Sequence, residues 1–208
     1  MKSSLYKSTE LFIIFILFPV SFTLAYPIYL KILFGFLGFI YIVYVLLKIE
    51  RIKFQIKSNL DWKHFWKFTL MKFIGVALLT TLYMWLVDKN NMFEVMINKP
   101  KLWVILLFVY SLLSVFPQEI IYRTFFFRRY QDLFNNEKLF IFINAIVFSL
   151  GHIFFKNTLV IILTFLGGIL FALTFKRTKS TLLVSIEHAI YGCWLFTVGM
   201  GSMLGFPN

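Results

Sequence analysis

Long apolar runs alternate with short polar segments along this chain. A helix needs about 20 apolar residues to cross the hydrocarbon core of a bilayer. The pattern therefore predicts an all-α fold, a polytopic transmembrane helical bundle of about seven spans. The predicted spans are 11–26, 32–47, 68–87, 102–127, 139–155, 158–175 and 182–200.

The first two runs are short and closely spaced, which predicts a helical hairpin. Pro19 should bend the first span, because proline lacks the backbone N–H and crowds the preceding turn. A cleaved signal peptide is the alternative for this region, since Lys2 and Lys7 precede an apolar stretch. Tyr26 and Pro27 stand where small residues would be needed for cleavage, so a retained span is favoured.

The composition supports a membrane protein, with 60% hydrophobic and only 14% charged residues. The net charge of +12 is compatible with nucleic-acid binding, but the basic residues flank the apolar runs. There they meet anionic lipid headgroups and set orientation. We therefore expect the lipid bilayer as a partner and no nucleic acid. The single cysteine, Cys193, excludes an intramolecular disulfide.

The distribution of lysine and arginine predicts the orientation of the chain. Positively charged loops stay on the cytoplasmic side of a membrane. With the N-terminus inside, most basic residues share that side, and an odd number of spans places the C-terminus outside. The segments on the predicted cytoplasmic side are 2–7, 48–67, 128–138 and 176–179.

Charged and imidazole side chains interrupt the last four predicted spans. An ionised side chain at the bilayer centre costs about 2.5 to 3.5 kcal/mol on insertion scales. Such residues therefore usually face the protein interior and serve a function. They are Glu119, Arg123, His152, Glu187 and His188, with Gln118 adjoining.

Glu119 and Arg123 are four residues apart, so they share one helix face within ion-pairing distance. Pro117 removes one N–H from the helix just before them, which should leave a carbonyl exposed and bend the span. The pair could serve catalysis or could only tie this helix to its neighbours, since buried ion pairs are often structural.

His152 and His188 lie in different predicted spans. Phe148 shares a helix face with His152, and Gly151 should permit close helix approach. Two imidazoles and a carboxylate can hold a metal ion or remove a proton from water. Both routes lead to hydrolysis. Glu187 has two interpretations. The first is a carboxylate that packs helices together, and the second is an alternative base that removes the proton from water.

Three motifs in this order resemble the CPBP family of intramembrane proteases. That family includes CAAX prenyl endopeptidases and bacterial abortive-infection (Abi) and bacteriocin-immunity proteins. Its pattern is EExxxR, then FxxxH, then HxxxN or HxxxD. The corresponding segments here are 118–123 (QEIIYR), 148–152 (FSLGH) and 188–192 (HAIYG).

The resemblance implies a CPBP-like protease core at 100–206, preceded by N-terminal helices and a basic cytoplasmic loop at 1–99. It also implies a bacterial cytoplasmic membrane and a membrane-associated peptide or protein substrate. Glu119, His152 and His188 would be catalytic, and the same three would bind a divalent metal such as zinc if one is used. All these assignments require an acid and two imidazoles to meet in one hollow. The supporting residues would be Gln118, Arg123, Phe148, Glu187 and Gly192.

Two positions depart from the family pattern. Gln118 stands where the water-activating glutamate is expected, and an amide cannot take up a proton at neutral pH. Gly192 replaces an asparagine or aspartate that could orient water or stabilise an oxyanion.

Three functions therefore stay open. The first is an intramembrane endopeptidase that uses activated water. The second is a catalytically impaired relative that binds membrane partners in immunity or secretion. The third is a transporter or proton relay, because buried carboxylates and histidines also mark ion paths.

Overall fold

The computed structural model describes residues 4–52 and 60–204, and Leu204 by its backbone only. The described residues form helices and no strand. Seven of these helices are long and apolar enough to cross a membrane, which confirms the predicted all-α, multi-pass fold. They are Ser4–Ser21, Ile28–Ile49, Trp62–Val87, Pro100–Leu133, Glu137–Phe155, Thr158–Thr178 and Thr181–Val198, numbered here as the first to seventh spans.

The predicted bounds of the first span were wrong. The helix begins at Ser4 and ends at Ser21, several residues earlier at both ends than 11–26. The predicted span began directly after the charged Glu10. In the structure Glu10 lies inside the helix, where it is buried and ion-paired. Pro27 has extended backbone and directly precedes the second span. The connection between the first two spans therefore ends at Pro27. The predicted cytoplasmic residues Lys2, Lys53 and Lys57 lie outside the described residues.

Both mid-span prolines follow a widened, π-helical turn. Residues Ile13–Leu17 form such a turn before Pro19, and Tyr110–Val115 form another before Pro117. A proline cannot donate to the carbonyl four residues earlier, and its ring crowds that carbonyl. In the wider turn, backbone N–H groups donate to the carbonyl five residues earlier instead of four. The helix can therefore continue through each proline.

The chain divides into two compact units, and the fourth span contributes to both. The first unit comprises Met1–Gln55 and Pro117–Lys179. Its fifth and sixth spans pack closely at Gly168, where an added Cβ would lie 3.0 Å from the Ala145 Cα. Small residues of this kind let transmembrane helices approach each other.

Aromatic rings fix the first span within this unit. Phe15 is 1% exposed, and its ring packs edge-on against Tyr122 and Phe126 at centroid distances of 5.5 and 5.2 Å. Edge-to-face pairs of this kind add stability beyond the apolar area that they bury.

The second unit comprises Ile56–Phe116 and Ser180–Asn208. Here the third and seventh spans are joined by polar contacts. The Tyr191 hydroxyl oxygen lies 3.1 Å from the Thr69 carbonyl oxygen, and Trp194 Nε1 donates to Thr80 Oγ1 at 2.9 Å. The seventh span starts at the capping side chain of Ser180, which accepts from Leu183 N.

A buried ion cluster lies at the end of the fourth span, inside the first unit. Arg129 Nε donates to Glu10 Oε2 at 2.7 Å, and Arg129 Nη1 donates to Glu50 Oε1 at 2.8 Å. Tyr130 Oη donates to the same Glu10 oxygen at 3.2 Å. Arg129 was expected in a cytoplasmic loop, but it lies within a helix and is 2% exposed. The two carboxylates explain the difference, because they satisfy a guanidinium that water would otherwise solvate.

Glu10→Gln should lower the free energy of unfolding by about 3 kcal/mol, because it leaves the buried Arg129 with one counter-charge fewer. Asp132→Asn is the matched control. Asp132 is 83% exposed and pairs with Lys7 at 3.7 Å, so its loss should cost less than about 1 kcal/mol. Denaturant unfolding in detergent micelles measures both. Equal losses in the two variants would contradict this account of the cluster.

Candidate active site

Glu119 and Arg123 form a fully buried ion pair in the fourth span. The Arg123 Nε atom lies 3.4 Å from Glu119 Oε2, and both side chains are 0% exposed. This confirms the predicted pairing over one helical turn. Arg123 lies in a further π-helical turn, Ile120–Phe125. The backbone hydrogen bonds of the helix are therefore more widely spaced at this pair.

Arg123 connects three spans of the first unit. Its Nη1 donates to Asn144 Oδ1 at 2.9 Å, and its Nη2 donates to the Gly168 carbonyl at 3.4 Å. The guanidinium also lies over the Phe148 ring, 4.7 Å from the centroid. A planar fork with several donors can make these contacts together, whereas a lysine ammonium cannot. Arg123 therefore positions the fourth, fifth and sixth spans around Glu119.

Asn144 is a site residue that the sequence analysis missed. It is 0% exposed, and its Nδ2 donates to the Tyr122 carbonyl at 2.7 Å while its Oδ1 accepts from Arg123. An asparagine inside an otherwise apolar run was the available signal, since a buried amide needs partners.

His152 lies just beyond the α-helical part of the fifth span, Glu137–Leu150. Its Nδ1 is 2.8 Å from the Phe148 carbonyl oxygen, and the two rings are 4.9 Å apart. A carbonyl can only accept, so in the neutral ring Nδ1 carries the proton and Nε2 the lone pair. The backbone thus fixes the orientation and tautomer of this imidazole, as is common for basic and metal-binding histidines.

Gly151 makes room for a side chain beside His152. A Cβ at this position would collide with the Tyr122 hydroxyl and would lie 3.0 Å from Tyr122 Cζ. Gly151 was predicted to permit close helix approach, but the Tyr122 side chain, not another helix backbone, occupies the space.

His188 belongs to the second unit and is 6% exposed. Its Nε2 lies 3.2 Å from the Tyr110 hydroxyl oxygen. Tyr110 is 8% exposed and begins the π-helical turn of the fourth span. Nothing in the sequence singled out Tyr110, because a tyrosine in an aromatic-rich chain carries no distinctive signal and its partner is 78 residues away.

Glu187 forms an ion pair with Lys72 and accepts a hydrogen bond from Tyr191 at 2.8 Å. It is 0% exposed, and Lys72 comes from the third span. These contacts favour the first interpretation of Glu187, a packing carboxylate, over the substitute base. The partner was unreadable from spacing, because it lies on a helix distant in sequence.

The predicted site residues are distributed over both units. Each motif has its own buried polar contacts, and the meeting of an acid with two imidazoles stays a prediction. Within either unit, the described residues contain no group of three His, Cys, Asp or Glu side chains placed to hold a metal. The first unit contains Gln118, Glu119, Arg123, Phe148 and His152, and the second contains Glu187, His188 and Gly192.

Arg123→Lys should lower the free energy of unfolding by about 2 kcal/mol, because one ammonium cannot satisfy Glu119, Asn144 and the Gly168 carbonyl together. Arg128→Lys is the matched control, since Arg128 is 60% exposed and its Glu50 contact is 3.8 Å long. We expect that control to change stability by less than about 0.5 kcal/mol. Denaturant titration in micelles measures both free energies of unfolding. If Arg123→Lys leaves the free energy of unfolding unchanged, Arg123 does not organise the three spans.

Residues 100–194 match the family model described as Rce1-like, type II CAAX prenyl endopeptidase Rce1-like. No curated protein and no solved structure matches the chain. The matched segment contains all three motifs, from Gln118 to Gly192, and lies in a chain with seven membrane-length helices. This chain is therefore a multi-pass integral membrane protein, and its residues 100–194 are similar to the type II CAAX prenyl endopeptidase family.

Proposed function

We propose that this protein is an intramembrane endopeptidase that cleaves a membrane-associated or lipid-anchored substrate with activated water. One observation carries the proposal. The segment similar to CAAX prenyl endopeptidases contains a buried Glu119–Arg123 pair and a histidine whose tautomer is fixed by a backbone carbonyl. Oriented imidazoles and buried carboxylates are the groups that general acid–base chemistry requires.

The proposed reaction is hydrolysis of a peptide bond. The water oxygen attacks the carbonyl carbon, and a base removes one proton from the water. The tetrahedral intermediate then breaks its C–N bond, and the proton passes to the departing amine. The second water proton passes from the new carboxyl group to the amine, so the products are a carboxylate and a protonated amine and no other reactant is needed.

We assign the proton transfers to His152 and Glu119. His152 presents a lone pair on Nε2, because Nδ1 donates to the Phe148 carbonyl. Glu119 supplies a carboxylate held in place by Arg123. His188, with its ring contacting Tyr110, is assigned to the carbonyl oxygen, where an N–H donor stabilises developing negative charge.

A metal-dependent form of the same proposal uses His152, His188 and Glu119 as ligands of a divalent ion such as zinc. Imidazole and carboxylate are suitable donors for zinc, and bound zinc would polarise a carbonyl and make water more acidic. A chelator distinguishes the two forms, because only the metal-dependent one loses activity and regains it with added zinc.

A catalytically impaired family member is the second candidate, and two residues favour it. Gln118 cannot act as a base, and Gly192 offers no side chain. Such a protein would bind membrane partners in immunity or secretion. If Gln118→Glu gains peptidase activity over an inactive wild type, this second candidate is favoured.

The proposal includes a bacterial cytoplasmic membrane with the N-terminus in the cytoplasm. The basic segments that predict this orientation flank the spans, where the positive-inside rule applies. Cysteine labelling from either side of the membrane tests it.

His152→Ala, His188→Ala and Glu119→Gln should each lower the turnover number by about 100-fold or more, the usual contribution of a positioned acid or base. His64→Ala is the matched control and should keep wild-type activity, because His64 lies at the start of the third span outside the motifs. The assay follows cleavage of a quenched, lipid-anchored peptide by the purified protein in detergent. Equal turnover in all five proteins would remove the hydrolase proposal.

A further inference from the structure

A tyrosine hydroxyl lies beside His188, where the side chain of residue 192 would project. The Tyr110 Oη is 3.2 Å from His188 Nε2. An added Cβ at Gly192 would collide with that same oxygen and with the tyrosine ring. The phenol therefore fills the volume that the first atoms of a larger residue 192 would need.

Helix geometry explains why this volume matters for His188. Residues 188 and 192 are one turn apart, so their side chains share a face of the seventh span. A polar side chain at 192 would thus lie beside the imidazole. Gly192 leaves the place open on its own helix, and Tyr110 reaches it from the fourth span.

Packing holds the Tyr110 ring rigidly in this position. The ring meets Phe196 edge-on at 4.8 Å, and both belong to an apolar cluster with Val115. Leu107 and Cys193 pack against the same cluster. A buried tyrosine with few rotatable bonds, packed against such a cluster, can direct a hydrogen bond at little entropic cost.

Proton counting shows what the hydroxyl does to the imidazole. A neutral histidine carries one N–H, and the phenol carries one O–H. If Oη donates to Nε2, the histidine proton lies on Nδ1; if Nε2 donates to Oη, the phenol proton points to a third group. The first arrangement is the one that the assignment of His188 to the carbonyl oxygen requires, because the hydroxyl donates to Nε2 and keeps the imidazole N–H on Nδ1. A phenylalanine could fill the volume but could not do this.

We propose that Tyr110 is a positioning residue for His188 and makes the hydrogen bond to the imidazole that a polar side chain at residue 192 could make and Gly192 cannot. This inference rests on the proposed hydrolase function. It also accounts for the glycine at residue 192, where the family pattern has asparagine or aspartate, because a side chain of the fourth span takes the place of the missing one.

Tyr110→Phe tests the role of the hydroxyl. We expect the turnover number to fall by about 10- to 100-fold with little change in KM, the usual size when a residue that orients a functional histidine is lost. Tyr130→Phe is the matched control, because Tyr130 is a buried tyrosine whose hydroxyl also makes a 3.2 Å contact, to the structural Glu10. The two variants should show similar small shifts in Tm, and Tyr130→Phe should keep its activity.

A side-chain exchange tests the replacement. Gly192→Asn alone should be inactive, because the new side chain collides with Tyr110. Tyr110→Ala removes that collision together with the hydroxyl, and should also be inactive. The double variant Tyr110→Ala/Gly192→Asn should be at least 10-fold more active than either single variant. A double variant no more active than the singles would overturn the replacement.

A spectroscopic measurement follows His188 directly. The chain has three histidines, so the ¹⁵N signals of His188 can be identified by comparison with His188→Ala. Tyr110→Phe should shift those signals, whereas Tyr130→Phe should leave them unchanged. Unchanged His188 signals in Tyr110→Phe would overturn the proposed hydrogen bond.

The outcomes separate this inference from the proposed function. If the wild type is faster than His152→Ala while Tyr110→Phe matches the wild type, the hydrolase proposal stands and the role of Tyr110 is overturned. If both tyrosine variants lose the same activity, Tyr110 is structural and the inference is again overturned. If the wild type is no faster than His152→Ala, the proposed function falls and the catalytic role of Tyr110 falls with it.

Discussion

The constraint on which this structure depends is that a polar group inside a lipid-embedded bundle must find its partner in the protein. Lipid offers no hydrogen bonds, so an unsatisfied charge there is expensive. Arg123 shows the consequence most fully. Its guanidinium engages a carboxylate, an amide oxygen and a backbone carbonyl, and it covers an aromatic ring. Satisfying this one side chain fixes parts of three spans.

The same constraint operates separately in the second unit. Glu187 is satisfied by Lys72 and Tyr191, and His188 by contact with Tyr110. Neighbouring residues on one helix thus have different environments, one ion-paired and one facing a phenol. That difference gives them different chemistry, because an ion-paired carboxylate serves packing while a hydrogen-bonded imidazole keeps its capacity to transfer a proton.

Departures from a family motif acquire a physical meaning in this setting. Gly192 looks like a loss when the motif is considered alone, but its missing side chain is what admits the Tyr110 ring. Gly151 is similar, since the Tyr122 hydroxyl occupies the room that it leaves. In both cases a glycine beside a motif histidine lets a tyrosine from the fourth span approach. The local motif therefore describes one helix, whereas the chemistry beside the histidine depends on a second helix.

The sequence by itself determined the seven spans and the pairing of Glu119 with Arg123. Apolar length sets a membrane helix, and a spacing of four residues sets which side chains meet on it. It placed the start of the first span too late, because it could not show that Glu10 is paired inside the helix with Arg129. Only the tertiary structure decided the partners of Arg123, Glu187 and His188. Those partners, Asn144, Lys72 and Tyr110, lie on other helices, and no local periodicity records which helices become neighbours.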